Sequence, residues 1–251
     1  MSLAIIQVDR FLVGSPCPTG WREWPHYAGI APGVDLVSAR VFPAGRGANQ
    51  GDIALAIDHL SRQWRADLIN LSLGAPVGSE LEHDAILDAL ERGTLCVCAA
   101  GNSNGAVEYP AAFDEVIAVS ALGLEGWGPD GSLTATRYPA QADRYGLGQL
   151  YLASFSCFGP QIDCCAPGVG IIATVPERFG LRAPIGAMDG TSMASPAACA
   201  TLAAILSNDT DYRSLPRDLT RAERARSLLR QGCVDVGLAA HYQGRGMPRV
   251  R

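Results

Sequence analysis

The sequence predicts an α/β fold with three layers, helices lying on both faces of a mostly parallel central sheet. Three observations predict it. Short apolar runs of strand length alternate with helical-period segments between residues 34 and 120. The resulting order, strand-helix-strand-helix-strand, implies right-handed crossovers and parallel pairing. With 251 residues and 48% of them apolar, the chain can cover such a sheet on both sides within one domain, residues 1–251. In sheets of this kind ligands bind at the carboxyl ends of the strands.

Residues 3–8 form a short apolar run that ends at Asp9 and reads as a strand. Residues 14–29 are rich in Gly, Pro and Trp, lack a clean period and read as a loop. Residues 34–42 alternate like a strand, and Gly45-Arg46-Gly47 is a turn. Residues 49–64 place Ile53, Leu55, Ala56, Ile57, Leu60 and Trp64 at helical spacing, with Asn49 as the cap. Residues 66–73 are a buried strand closed by Gly74. A helix over 79–92 starts at Ser79, has Glu82 at capping-box spacing and stops at Gly93. Residues 94–99 and 116–120 are core strands, and 101–105 form a turn. Residues 123–148 are loop-like and polar. Strands are expected at 152–158, 162–166 and 170–175, and a loop at 186–189.

The string Gly190-Thr191-Ser192-Met193-Ala194-Ser195-Pro196 opens an apolar helical run. Thr191 and Ser192 can cap the N–H groups of its first turn, and Pro196 is tolerated near the start. A serine there sits in the positive field of a helix N-terminus, useful wherever an oxyanion develops. Residues 220–231 form a last amphipathic helix, with Arg221, Arg224, Arg226 and Arg230 expected on a solvated face.

A net charge of −5 argues against nucleic acid as the main partner, and no apolar run reaches the length of a membrane span. The first 14 residues lack a basic start and carry Asp9 and Arg10 inside the apolar stretch, which makes a poor signal peptide. Of eight cysteines, Cys96 and Cys98 share one core strand and Cys199 lies in a buried helix, positions that suit reduced thiols. A cytoplasmic protein is expected; secretion, with bridges among Cys157, Cys164 and Cys165, is the alternative. A nucleotide-binding domain is disfavoured, because no G-x-G-x-x-G follows the first strand and no P-loop lysine motif occurs.

Residues 190–196 resemble the nucleophile motif of the subtilisin-like serine peptidases, the subtilases. The resemblance implies that Ser192 attacks a scissile carbonyl. Ala99-Ala100-Gly101-Asn102, at the end of a strand, resembles the loop that carries the family's oxyanion-hole asparagine. By that resemblance Asn102 and the backbone N–H of Ser192 hold the oxyanion. Residues 70–74 (Asn-Leu-Ser-Leu-Gly) resemble the strand that lines the pocket for the side chain preceding the scissile bond. Ser72, Leu73 and Gly74 then form one wall and Ala99, Ala100 and Gly101 the other; small residues there leave room for a large apolar side chain. Gly45 and Gly47 resemble the edge that pairs with extended substrate by strand addition. The likeness keeps its order from about residue 27 to about residue 250. It implies a peptide or protein substrate, and calcium as a family ligand, although no loop offers an assignable set of carboxylates; Asp130 and Asp143 read as solvated.

The chain departs from the pattern at its start. A serine hydroxyl needs a general base and an acid to orient it, in the subtilisin order Asp, His, Ser. Asp9 follows a strand but precedes Arg10-Phe11 rather than a small residue and Gly, and no His-Gly-Thr occurs. His26 lies 17 residues after Asp9, against roughly 30 in subtilisin. His59 and His83 fall within helices and His241 comes too late in order. Three readings stay open. Asp9 and His26 serve as a repurposed dyad; the chain is a fragment whose Asp and His segment was cut away or is supplied by a partner chain; or the chain is a catalytically impaired pseudoenzyme that binds extended peptides.

Overall fold

The computed structural model describes residues 2–6, 29–42, 45–128, 131–174 and 185–250. The expectations for Asp9, His26, Cys17, Asp130 and the loop over residues 14–28 lie outside the described residues.

Seven strands form the main sheet: β1 (Ser2–Ile6), β2 (Asp35–Ala39), β3 (Leu68–Leu71), β4 (Leu95–Ala99), β5 (Ile117–Leu124), β6 (Leu150–Leu152) and β7 (Ile162–Pro167). Their order is β2-β1-β3-β4-β5, with β6 and β7 both pairing β5. Every pairing is parallel except β5 with β6. β1 therefore sits between β2 and β3, and the crossover helices return the chain across the faces.

Side chains alternate along each strand and so divide the core in two. On one face Ile69, Leu71, Cys96 and Cys98 pack under α1 (Gln50–Arg62) and α2 (Glu80–Glu91). On the other, Leu68, Leu95, Val97, Ile117 and Val119 pack under α3 (Thr191–Asn208) and, beyond it, α5 (Leu219–Gly232). The expected caps are present. Asn49 Oδ1 accepts the Gly51 N–H at 2.7 Å, and Ser79 Oγ accepts the Glu82 N–H at 3.5 Å. A short helix, α4 (Thr210–Ser214), joins α3 to α5 and starts at Asp209, whose carboxylate accepts the Tyr212 N–H at 2.6 Å.

Four expectations change. The strand expected at 116–120 runs on to Leu124, because Leu122–Leu124 gain an antiparallel partner in β6. The strand expected at 152–158 ends at Leu152; beyond it Ser156 N–H turns back to the Ala153 carbonyl at 2.9 Å. Its apolar character reflects a buried turn, with Ala153 and Cys157 fully covered. Residues 186–189 are not simply a loop: β8 (Ile171–Thr174) and β9 (Ile185–Met188) form a two-stranded antiparallel pair. Finally, the arginines of α5 are not a solvated face. Arg221 is buried against Asp67, Arg226 donates to the carbonyls of Asp114, Glu115 and Val116, Arg224 pairs with Asp209, and Arg230 with Asp163. Each guanidinium finds an acceptor that a helical pattern alone cannot reveal.

All seven described cysteines are free thiols; burial pushes Cys96 up to about 12 and raises Cys98, Cys164, Cys165, Cys199 and Cys233 as well. Among the described residues no helix is long and apolar enough to cross a membrane.

Candidate active site

The first turn of α3 lies against the carboxyl ends of β3 and β4. Contrary to expectation, neither Thr191 nor Ser192 caps the helix; both are inside it, and Gly190 at the cap makes no side-chain bond. The cap comes from another loop. Asn102 Oδ1 accepts the Thr191 N–H at 2.9 Å and the Thr191 hydroxyl at 3.0 Å, while Gly101 N–H donates to Thr191 Oγ1 at 3.2 Å. A backbone N–H can only donate, so the oxygen of the Asn102 amide must face Thr191. Its Nδ2 is turned to the other side, where it meets no acceptor among the described residues. The Ser192 N–H, in the same first turn, also lacks an acceptor among the described residues, as expected of a helix start.

Pro196 lies in the second turn of α3 and carries no N–H for the Ser192 carbonyl. Ser72 replaces it: its hydroxyl donates to that carbonyl at 2.9 Å. The substitution is supported from behind. Ser195 Oγ donates to Asn70 Oδ1 at 2.7 Å, and Asn70 Nδ2 donates to Ser72 Oγ at 2.9 Å. Asn70 and Ser195 are buried, so this polar chain fixes the helix start rigidly against β3. The Ser192 hydroxyl itself is half-buried and donates to the Ser72 carbonyl at 3.3 Å.

Ser192 and Asn102 therefore share one groove. They line a cavity of about 250 Å³ together with Leu73, Gly74, Ala99, Gly101, Ser103, Glu108 and Thr191. Of the expected wall residues, two do not line it: Ser72, whose hydroxyl donates to the Ser192 carbonyl, and Ala100. Ala100 is fully buried, its N–H goes to the Val119 carbonyl and its carbonyl accepts from Glu108, so it backs the wall without lining it. Gly45 and Gly47 lie in an exposed turn beyond the edge strand β2 and line no part of this cavity. A larger cavity of about 580 Å³ sits between α2, α5 and the loop before β5, and contains neither Ser192 nor Asn102.

The sequence reading overlooked Glu108. The turn over 101–105 folds the chain back so that Glu108 N–H bonds the Ala100 carbonyl at 2.9 Å, and Tyr109 bridges to Ala75. Glu108 thus enters between the two pocket walls. A Cβ on Gly74 would lie 2.7 Å from its Oε2, and one on Gly101 2.5 Å from its Cδ. Gly101 also holds φ at +109°, so glycine is required there twice over.

The three described histidines are engaged elsewhere. His59 Nε2 accepts the Trp64 indole N–H at 3.1 Å, His83 pairs with Glu115 at 2.9 Å and stacks on Phe113, and His241 packs on Tyr242. Among the described residues no cluster of three His, Cys, Asp or Glu side chains could hold a metal ion; Asp143 accepts from the Tyr242 hydroxyl at 3.1 Å.

Comparison with known proteins gives the family and the fold. The model of the subtilase family, peptidase group S8, matches residues 14–244. The chain belongs to the subtilase family. Over 225 residues this subtilase is 31% identical to the major intracellular serine protease of Bacillus subtilis, covering 87% of this chain and 60% of that protein. It is 34% identical over 249 residues to the halolysin-like extracellular serine protease Nep of Natrialba magadii, covering 93% of this chain and 39% of that protein. Among solved structures, sphericase superposes with a TM-score of 0.67 at 26% identity, over 89% of this chain and 71% of that one. The subtilase thus spans 60% or less of the length of those two relatives, one named intracellular and the other extracellular.

Proposed function

We propose that the chain is a serine endopeptidase that cleaves extended peptides through an acyl-enzyme on Ser192. The observation that carries this reading is the shared anchoring of Ser192 and Asn102. The Asn102 carboxamide is held by Thr191 with its Nδ2 left over, beside a serine hydroxyl and a free helix N–H. In the proposed reaction the Ser192 hydroxyl leaves the Ser72 carbonyl and adds to the scissile carbon. Its proton passes to a base. The oxyanion is held between Asn102 Nδ2 and the Ser192 N–H, the amine leaves with the proton, and water then releases the acyl group. Leu73, Gly74, Ala99 and Gly101 would hold the side chain before the cut, and the β2 edge with Gly45 and Gly47 the extended backbone.

His26, oriented by Asp9, is the proposed base within this chain, since His59, His83 and His241 have other partners. His26→Ala is expected to lower kcat by at least about 10³-fold with peptide binding retained. Unchanged turnover would move the base elsewhere, including to a partner chain. The departure of the Asp and His motifs supports a second reading, a peptide-binding pseudoenzyme of the same fold. A fluorophosphonate probe separates the two. Labelling mapped to Ser192 supports the peptidase; binding of peptides without labelling supports the pseudoenzyme. The seven described cysteines, all free thiols, support a reducing, cytoplasmic setting for either.

Asn102 has two tasks that substitution can divide. Asn102→Ala is expected to lose about 10²–10³-fold in kcat, the general scale for one oxyanion donor, and about 1 kcal/mol of stability with the cap. Asn102→Asp keeps an oxygen for the Thr191 N–H and so keeps stability, but removes the donor and should lose at least as much activity. Thermal melts beside peptide kinetics would read both. Equal activity in Asn102→Asp and the parent would remove Asn102 from the reaction.

A further inference from the structure

We propose that Glu108 makes the pocket beside Ser192 selective for a basic side chain, arginine or lysine, immediately before the scissile bond. The inference rests on the peptide-cleft reading above and adds a substrate class to it. It departs from the apolar pocket that the small wall residues alone imply.

The carboxylate is built into the pocket rather than draped over it. Its backbone is pinned between the two walls, by the Glu108 N–H to Ala100 on one side and the Tyr109–Ala75 bridge on the other. Its side chain fills the space that the two missing Cβ atoms leave, with Oε2 toward Gly74 and Cδ against Gly101. Substitution at either glycine would drive the carboxylate out, so the pocket is shaped around this group. Oε1 lies 3.9 Å from the Cys157 thiol, a weak donor. Among the described residues no Lys, Arg or His forms an ion pair with Glu108. A half-buried carboxylate without a counter-charge costs free energy that a cation in the cavity recovers.

Position gives the rest. Glu108 lines the same cavity as Ser192 and Asn102. A peptide whose carbonyl carbon meets Ser192 Oγ has its nearest side chain directed into that cavity. A lysine or arginine stem would run along Leu73 and Ala99 and bring its charged end to Glu108. Arginine gains more than lysine, because its planar fork matches a carboxylate. An apolar side chain of the same length would leave the carboxylate desolvated and unpaired. Charge-assisted bonds of this class correspond to a preference of about 10- to 100-fold.

The test uses peptides identical except for arginine, lysine or norleucine before the scissile bond. Hydrolysis is measured with the parent chain and with Glu108→Gln and Glu108→Asp; binding is measured in the Ser192→Ala background, which needs no catalytic base. The expected result is a preference in kcat/KM for arginine and lysine over norleucine of about tenfold or more. It should weaken with salt, collapse in Glu108→Gln and be partly kept in Glu108→Asp. If no peptide is cleaved but the Ser192→Ala protein binds the arginine peptide more tightly, and loses that on Glu108→Gln, the peptidase reading fails and this inference stands. Cleavage with equal or greater preference for norleucine, or a preference that survives Glu108→Gln, overturns the inference and leaves the peptidase intact. Absence of both cleavage and binding overturns both.

Discussion

Replacing Ser192 by alanine is expected to abolish peptide hydrolysis and fluorophosphonate labelling while the fold melts where the parent does. Where a base serves the nucleophile, losing the hydroxyl costs on the order of 10⁶-fold in kcat, leaving the remainder that the oxyanion hole and substrate binding supply. The stability half of the prediction follows from which atoms anchor the helix start. Ser72 donates to the main-chain carbonyl of residue 192, not to its hydroxyl. Thr191 and Gly101 bind Asn102 and Thr191 atoms that the substitution leaves alone. Only a 3.3 Å bond from Ser192 Oγ to the Ser72 carbonyl disappears, so stability should stay within about 0.5 kcal/mol. Steady-state kinetics and a thermal melt on the same preparation check the claim. Turnover that persists in Ser192→Ala would mean that some other group does the chemistry.

The sequence carried the chemistry-bearing ends of the strands more clearly than their surroundings. Residues 190–196 and 99–102 are local strings, and the fold brings them together at one groove because 99–102 close β4 and the first turn of α3 packs against the carboxyl ends of β3 and β4. The two caps at Asn49 and Ser79 were likewise legible, since the acceptor and donor are two or three residues apart. What failed depended on partners distant in sequence. Thr191 and Ser192 looked like caps because nothing local shows that Asn102, 89 residues earlier, takes the role. Pro196 looked tolerable only at a helix start, whereas Ser72, 120 residues before Ser192, supplies the missing donor to the Ser192 carbonyl. Glu108 was passed over because its place in the pocket comes from a backbone return across a turn, and no period or motif marks it. The outward reading of Arg221 failed for the same reason: its partner is on another element.

Removing that partner is expected to cost more stability than any other single change considered. Asp67 is 2% exposed and sits just before β3, at the end of the sheet opposite Ser192. Its Oδ1 accepts from Arg221 Nε at 3.2 Å and Nη2 at 2.9 Å, from Arg217 Nη2 at 3.1 Å and from the Tyr212 hydroxyl at 3.1 Å. The Arg221 guanidinium also lies 4.1 Å over the Tyr212 ring. One carboxylate thus ties β3 to α4 and α5. In Asp67→Ala, Arg221 keeps the carbonyls of Tyr212 and Leu215 but loses its counter-charge while still buried. Breaking a buried pair from one side costs about 3–5 kcal/mol, which in a chain of this size lowers Tm by roughly 6–20 °C. Arg217→Ala removes a partner that is 24% exposed and reaches Asp67 from the rim, so it should cost about 1 kcal/mol or less. Denaturant titration of the two variants decides the matter. Asp67→Ala within 1 kcal/mol of the parent would show that Arg221 regains solvent by moving outward, and that the guanidinium was never committed to the interior. Because the cluster lies at the amino ends of the strands, Asp67→Ala that remains folded in the cold should still label at Ser192. Loss of labelling in folded protein would instead tie the two ends of β3 together through the Asn70–Ser72 chain.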